Sequence, residues 1–203
     1  MGIKIKKLEK YHIEQVVDIY FSELDVSVLT YFGKEFIRNM CNILLQLNWG
    51  FVAVYSDGGQ QEKVVGFIFL DKIEVSLYRC LSLYSLLHLI KRFFLYPKSI
   101  VIFLVAFFRL FLIRNRIISR LDNYVEISHF AILKEYQGQG VGTKLIAEAE
   151  QLAVDNNYRS IVTSSHNERL IQYYKRTRNA VIIYEKNIVD YTSRGVQWFL
   201  NDK

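Results

Sequence analysis

The sequence predicts an α/β fold, in which strands and helices alternate along a single domain. Short apolar segments typical of strands, the first with an apolar side chain at every second position, alternate with segments of helical periodicity. A strand, a glycine-rich loop and a helix also follow one another between residues 125 and 156. Apolar residues make up 51% of the 203 residues, enough for a substantial core and too many for a disordered chain. We therefore expect one domain, residues 1–203, with one insertion.

The order of the elements follows from these periodicities. The first part reads as strand, helix, loop, helix and a hairpin with a turn at Asp57-Gly58-Gly59, over residues 3–8, 9–22, 23–31, 34–47, 50–55 and 63–73. After the insertion come strand, helix, strand, helix and two closing strands, over residues 125–132, 144–156, 158–163, 168–176, 180–185 and 196–201.

The insertion, at about residues 75–121, is apolar and basic. It holds no Asp or Glu and eight basic residues: Arg79, Lys91, Arg92, Lys98, Arg109, Arg114, Arg116 and Arg120. The rest of the chain has 26 − 8 = 18 basic and 20 acidic residues, so the net charge of +6 resides here. Pro97 divides it into two predicted helices, residues 78–95 and 99–118. Its uncharged run 99–108 is far shorter than the ~20 residues that span a bilayer.

Three interpretations of the insertion stay open. Its helices pack on the core and turn their charges to water, or they lie on an anionic membrane surface as a peripheral anchor. Alternatively, they form a basic pocket for a phosphate-bearing acceptor such as a nucleotide-linked or lipid-linked amino sugar. We expect no nucleic-acid partner, because the positive charges are diluted by apolar residues.

The loop Gln137-Gly138-Gln139-Gly140-Val141-Gly142-Thr143 suits a phosphate, since a glycine loop between strand and helix aims backbone N–H groups at anions. It lacks the Gly-Lys-Ser/Thr ending of NTPase loops. Its third glycine is one residue early for a dinucleotide fingerprint, and no second βαβ half follows. A connection without a ligand is the remaining alternative, although three alternate glycines lower helix stability without a structural gain.

The pattern Gln-x-x-Gly-x-Gly resembles the pyrophosphate loop of the GNAT superfamily of acyl-CoA N-acyltransferases. Two further spacings carry the resemblance: Glu126 lies six residues before Ile132, like the family's general base, and Asn167 lies seven before Tyr174. The chain departs from the family where Gln137 replaces a common arginine. It departs again where Arg-Thr-Arg-Asn replaces the usual ending in Gly-Phe, so we expect Asn179 to supply the left-handed cap.

The resemblance implies a mixed, strongly twisted central sheet flanked by helices, and acetyl-CoA as the acyl donor. The pyrophosphate would accept N–H bonds from the loop, and the pantetheine arm would pair with the strand before it, where neighbouring strands splay apart. No metal site is expected. The implied cofactor-binding residues are Ile132, Leu133, Lys134, Gln137, Gly138, Gln139, Gly140, Val141, Gly142, Thr143 and Asn167.

The resemblance also implies catalytic roles. Glu126 would take a proton from the acceptor ammonium, directly or through water, with its pKa raised by burial; the alternative is a glutamate paired with a basic residue. Tyr124 and Ser128 share its strand face by period 2 and would bind or orient the acceptor. His129 points to the other face, unless a bulge makes it a second candidate base.

Tyr174 would protonate the leaving thiolate of CoA. Its neighbour Tyr173 is rotated by about 100°, so only one of the two can face the cofactor sulfur. The spacing from Asn167 favours Tyr174, and aromatic packing in the core is the alternative for either. Asn167 would bond the pantetheine, cap the following helix, or both.

We therefore predict an acetyl-CoA-dependent N-acetyltransferase that acts by direct attack in a ternary complex on a primary amine, such as an amino sugar or another small amine. The alternative is a non-catalytic CoA-binding or membrane-surface-associating module. Cys41 and Cys80 show no disulfide, metal or nucleophile pattern, and no apolar signal region follows the basic N-terminus. We accordingly expect a cytoplasmic location, peripheral to the inner membrane face if the insertion binds lipid.

Overall fold

The computed structural model describes residues 2–24, 28–56, 62–71, 83–95, 121–188 and 191–200. The described strands are β1 Gly2–Lys7, β2 Gly50–Ser56, β3 Lys63–Asp71, β4 Tyr124–Ile132, β5 Ser160–Ser165, β6 Val181–Ile188 and β7 Tyr191–Phe199. The described α-helices are α1 Ile13–Glu23, α2 Gly33–Gln46, α3 Leu83–Leu95, α4 Val141–Asp155 and α5 Glu168–Arg178. Short 3-10 helices cover Lys10–His12, Val28–Phe32 and Lys134–Tyr136.

The strands form one mixed sheet in the order β1-β2-β3-β4-β5-β7-β6. All neighbours are antiparallel except β4 and β5, which are parallel. Because both parallel strands have their carboxyl ends at the same edge, α4 and α5, which follow them, begin at that edge. The α/β prediction is confirmed, with the mixed sheet that the resemblance implied.

Helices cover both faces of the sheet. On one face, α1 buries Ile13, Val16, Val17 and Tyr20, spaced i, i+3, i+4 and i+7, in a core shared with α2. On the other face, α4 and α5 pack over a second core that includes Leu145, Ile171 and Trp198. Each such apolar side chain contributes about 1.5–3 kcal/mol to folding, so burial in the two cores is a main source of the stability of the fold.

Two predicted boundaries differ in an informative way. Helix α4 begins at Val141 rather than residue 144, because Gly140 is its N-cap in the left-handed conformation. Strand β7 begins at Tyr191, five residues before its predicted start, because pairing with β6 supports residues without an apolar alternation. The turn at residues 57–59 and the predicted helix 99–118 lie outside the described residues.

Candidate active site

The glycine loop forms an open cradle at the N-terminus of α4. Gly138 and Gly140 have φ of 74° and 78°, which favours glycine. A Cβ at either position would meet nothing within 4 Å, so their conformation rather than tight packing calls for glycine. The first-turn N–H groups of α4, up to Thr143, have no intrahelical acceptor. Free N–H donors, the positive end of the helix dipole and open space fit a pyrophosphate.

The side chains of the loop stabilise this shape from within. Nε2 of Gln137 donates to the Ile132 carbonyl over 2.8 Å, and Nε2 of Gln139 donates to the Glu135 carbonyl over the same distance. Backbone hydrogen bonding and an ion pair with Lys63 lower the pKa of Glu135, so this nearby carboxylate is charged but paired. The Gln137 side chain therefore holds the loop against the end of β4.

The third glycine has a different purpose from the first two. A Cβ on Gly142 would lie 3.2 Å from Cδ1 of Ile132 and from Cζ of Phe130. Gly142 thus lets the first turn of α4 pack closely on β4. Lys134 and Lys144, at the two ends of the loop, are exposed and add positive charge beside the cradle.

Strands β4 and β5 part next to this loop. They pair from Tyr124 and Ser160 to Ile127 and Thr163, whereas β4 continues to Ile132. Within the described chain, the edge of β4 beyond residue 127 that faces β5 has no strand partner. This divergence is where the resemblance places the amide-rich pantetheine arm.

Leu133 offers less to such an arm than expected. Its N–H donates to the Val65 carbonyl over 2.9 Å, and its own carbonyl accepts from the Tyr136 N–H over 2.9 Å. Only a second lone pair of that carbonyl is left for a ligand. Ile132 is half-buried, and its carbonyl already accepts from Gln137.

A β-bulge in β4 sets the face on which the polar side chains lie. The pairing with β3 passes from Ile127–Leu70 to His129–Phe69, which leaves Ser128 as the extra residue. Nδ1 of His129 lies 3.1 Å from Oγ of Ser128, and the His129 ring contacts Tyr20 of α1 at a centroid distance of 5.4 Å. The bulge on which the alternative for His129 depended is therefore present, and it brings His129 to the same side of β4 as Ser128; its role as a second candidate base stays a prediction.

Glu126 lies two residues before this bulge and is 4% exposed. Its register partners are Asp71 on β3 and Val162 on β5. Tyr124, two residues earlier on the same face, is half-buried. The structure thus brings Tyr124, Glu126, Ser128 and His129 to one side of β4, opposite the side covered by α4.

Asn167 is the N-cap of α5. Its Oδ1 accepts from the N–H groups of Arg169 and Leu170 over 3.0 and 3.3 Å. At the other end of α5, Asn179 adopts the left-handed conformation and donates its N–H to the Tyr174 carbonyl. Both predicted caps are present. Asn179 replaces glycine there because asparagine tolerates this backbone region better than most residues.

The two adjacent tyrosines of α5 face different surroundings. Tyr174 is fully buried and stacks on Trp198 at a centroid distance of 4.9 Å, and burial raises its pKa above the ordinary value for tyrosine. Tyr173 is half-buried, and its hydroxyl donates to Oγ1 of Thr143 over 3.1 Å. The sequence analysis did not predict the contact between Tyr173 and Thr143. The rotation of about 100° between neighbouring helix residues indicated only that the two tyrosines face different surroundings.

An ion pair supports the core next to Tyr174. Glu150 of α4 accepts from Nε of Arg178 and, over 3.0 Å, from Nε1 of Trp198. Both charged side chains are about one-fifth exposed, so this pair is better shielded than the other described ion pairs. It ties α4, α5 and β7 together. No sequence motif indicated it, since the three residues are remote in the chain.

Only α3, Leu83–Leu95, represents the insertion among the described residues. Leu89 and Phe93 pack against the α1–α2 core, and a Cβ on Gly33 would lie 3.0 Å from the His88 ring. The remaining large apolar side chains described on α3 are exposed: Leu86, Leu87, Ile90, Phe94 and Leu95. No helix in the described ranges is long and apolar enough to cross a bilayer.

Comparisons with known proteins agree with this geometry. The profile of the Acetyltransferase (GNAT) family matches residues 13–179. A polyamine N-acetyltransferase from Drosophila melanogaster superposes with a TM-score of 0.64 at 13% identity, covering 98% of this chain and 100% of that one. An N-acetyltransferase from Staphylococcus aureus Mu50 gives 0.62 at 13% identity, with 99% and 100% covered.

A structure of the NatC complex bound to Gag peptide and CoA gives a TM-score of 0.59 at 12% identity, covering 99% of this chain and 100% of that one. No curated protein matches the chain significantly. The structural neighbours share the fold, and the family profile spans most of the sequence, including the glycine loop and both ends of α5. The chain therefore belongs to the GNAT acetyltransferase family.

Proposed function

We propose that this protein transfers an acetyl group from acetyl-CoA to the primary amine of a small molecule, by direct attack in a ternary complex. The observation that carries the proposal is the position of Glu126. It is a buried carboxylate on β4, beside the point where β4 and β5 part, on the strand that leads into the glycine loop. One strand thus connects the cofactor cradle to a candidate base.

Acetyl-CoA, when bound, supplies an acetyl group as a thioester. The loop from Gly138 to Thr143 would hold its diphosphate through backbone N–H groups, with Lys134 and Lys144 adding charge. Asn167 already caps α5 with its side-chain oxygen, so its amide nitrogen is the group we assign to the pantetheine.

Two proton movements accompany the transfer. The neutral amine attacks, the N–C bond forms as the C–S bond breaks, Glu126 accepts the proton that the nitrogen loses, and the sulfur gains one from a donor group; the donor then regains a proton from water, and Glu126 releases its proton to water. We assign the second proton to Tyr174, as the family spacing predicts. This assignment rests on the spacing from Asn167, because the Tyr174 ring is buried against Trp198 in the structure and burial raises its pKa. Tyr124 and Ser128 would orient the acceptor.

Direct attack is favoured over a covalent acyl-enzyme. Cys41 lies in the core between α1, α2 and the sheet, and it belongs neither to the glycine loop nor to the polar side chains of β4. Cys80 lies outside the described residues. The acceptor is proposed to be an amino sugar or another small amine, and the site of action to be the cytoplasm.

The test measures CoA release over a panel of small amines, together with CoA affinity. Glu126→Gln should lower turnover by about 10²–10⁴-fold, the range for loss of a general base, while CoA binding is kept. Tyr174→Phe should also lower turnover while the affinity for CoA is kept. Glu148→Gln, at an exposed position on α4, is the matched control and should behave as wild type. Normal turnover in both Glu126→Gln and Tyr174→Phe would refute the catalytic assignment.

A second candidate function is a CoA-binding module that associates with an anionic membrane surface. The exposed apolar residues of α3, within an insertion that has no acidic residues, favour it. If acetyl-CoA stabilises the protein against heat but no free CoA is released in the presence of any amine of the panel, the result would support a non-catalytic module. For membrane contact, co-sedimentation with phosphatidylglycerol vesicles should weaken in salt and on charge reversal at Arg114 and Arg116. Vesicle binding that changes neither with salt nor with charge reversal would rule out this contact between the basic residues and the anionic membrane surface.

A further inference from the structure

Tyr173 and Thr143 join two helices at the edge where the parallel strands end. Helix α4 begins after β4 and α5 begins after β5, and the pairing of those strands ends at Ile127 and Thr163. The 3.1 Å hydrogen bond from the Tyr173 hydroxyl to Oγ1 of Thr143 links the helices on that side. A cofactor that runs from the glycine loop to the gap between the strands must pass this bond.

Thr143 belongs to the turn that would receive the diphosphate. It is the third residue of α4, so its N–H is one of the first-turn donors without an intrahelical acceptor. The Tyr173 hydroxyl therefore lies beside the anion cradle. The bond is exposed to solvent, and water can replace either partner at little cost. An exposed bond between two neutral hydroxyls is readily exchanged for one with a charged oxygen.

Apart from the Thr143 hydroxyl itself, the loop and its two flanking lysines offer no comparable side-chain donor. Gln137, which stands where many relatives have arginine, gives its amide to the Ile132 carbonyl. Gln139 gives its amide to the Glu135 carbonyl. The exposed ammonium groups of Lys134 and Lys144 bring charge but no fixed direction.

We propose that Tyr173 is a cofactor-positioning residue, whose hydroxyl turns from Thr143 to a diphosphate oxygen when CoA binds. This role rests on the proposed function, and it is separate from proton donation, which stays with Tyr174. The rigid ring of Tyr173 places one directed O–H at the first turn of α4. That donor offsets the missing arginine charge at Gln137 by a charge-assisted hydrogen bond.

The experiment compares the dissociation constants of CoA and of pantetheine, which lacks the diphosphate, by calorimetry and competition. Tyr173→Phe removes only the hydroxyl and should raise the Kd for CoA about tenfold, equivalent to about 1.4 kcal/mol. The Kd for pantetheine should stay unchanged. Tyr11→Phe deletes another exposed tyrosine hydroxyl, on the 3-10 helix before α1, and should change neither constant.

The outcomes separate this role from simpler ones. An unchanged Kd for CoA in Tyr173→Phe overturns the proposal. Equal weakening of CoA and pantetheine also overturns it, since that result means that the hydroxyl only holds α5 against α4. If the wild-type protein binds no CoA, the proposed function itself fails, and Tyr173 with it.

Discussion

The left-handed conformation of Gly140 makes the cofactor loop sensitive to a single methyl group. Gly140 is the N-cap of α4 with φ 78° and ψ 2°. An L-residue in this region costs about 1–2 kcal/mol. Alanine also restricts the unfolded chain, which returns about 0.4–1 kcal/mol. Because a Cβ here would meet nothing within 4 Å, no clash adds to the balance. Gly140→Ala should therefore destabilise the fold by about 1 kcal/mol.

Two measurements check this magnitude. For a chain of this length, 1 kcal/mol corresponds to a fall in Tm of about 2–4 °C, readable by circular dichroism. Calorimetry should show CoA affinity falling about tenfold or more, since one hydrogen bond to a charged group contributes about 1.5–3 kcal/mol. The added methyl enters the open side of the cradle, and any relaxation of the loop turns its N–H groups away.

Gly142→Ala is the matched control. Its Cβ would lie 3.2 Å from the ends of two flexible side chains, Ile132 and Phe130, on the β4 side of the helix. The gain in helix propensity, about 1 kcal/mol, is opposed by this crowding, so we expect little net change in stability and a small effect on CoA. If Gly140→Ala keeps the wild-type Tm and affinity, or if Gly142→Ala loses as much CoA affinity, the assignment of different roles to these glycines is refuted.

Two further predictions concern stability. His12 is fully buried, its Nδ1 accepts from the Glu9 N–H, and burial lowers its pKa. The unfolded chain then binds the proton more readily, so stability is present above about pH 6.5 and declines as the pH falls below it. Urea unfolding between pH 5 and 8 should show a weaker decline in His12→Gln, and parallel curves would contradict this. Asn179→Gly should match or exceed wild-type stability, because glycine adopts φ 51° without strain, whereas Asn179→Ala should lose about 1 kcal/mol. Equal denaturation midpoints for the two variants would disprove the left-handed cap.

Much of the fold could be predicted because its signals are local. Alternation indicated β1, short apolar runs indicated β2 to β4, and helical spacing indicated α1 and α2, with ends within a few residues of those observed. The cap at Asn167 was predictable from residue type alone. The start of α4 was not predictable in this way. The low helix propensity of glycine indicated a later start, whereas in the structure Gly140 is the N-cap and the helix begins at Val141.

Some features of the candidate site are likewise local in sequence, and others depend on how the strands pair. The glycine loop and the spacings of Glu126, Asn167 and Tyr174 are properties of the sequence, and they suffice to indicate the family. Which side a strand residue faces depends on hydrogen-bond register, and a bulge depends on how the partner strand pairs. The pairing of β3 with β4, and not the sequence of β4 alone, therefore decides that His129 lies on the α1 side of the sheet.

The sequence by itself determined the order of elements, the position of the glycine-rich loop and the resemblance to the family. The tertiary structure alone decided the contacts between residues remote in the chain: Tyr173 with Thr143, and Glu150 with Arg178 and Trp198. The physical reason is that backbone propensities act over a few neighbouring residues, whereas these contacts require two helices to be packed on one sheet. That packing places one tyrosine of α5 in the core and its neighbour beside the cofactor loop.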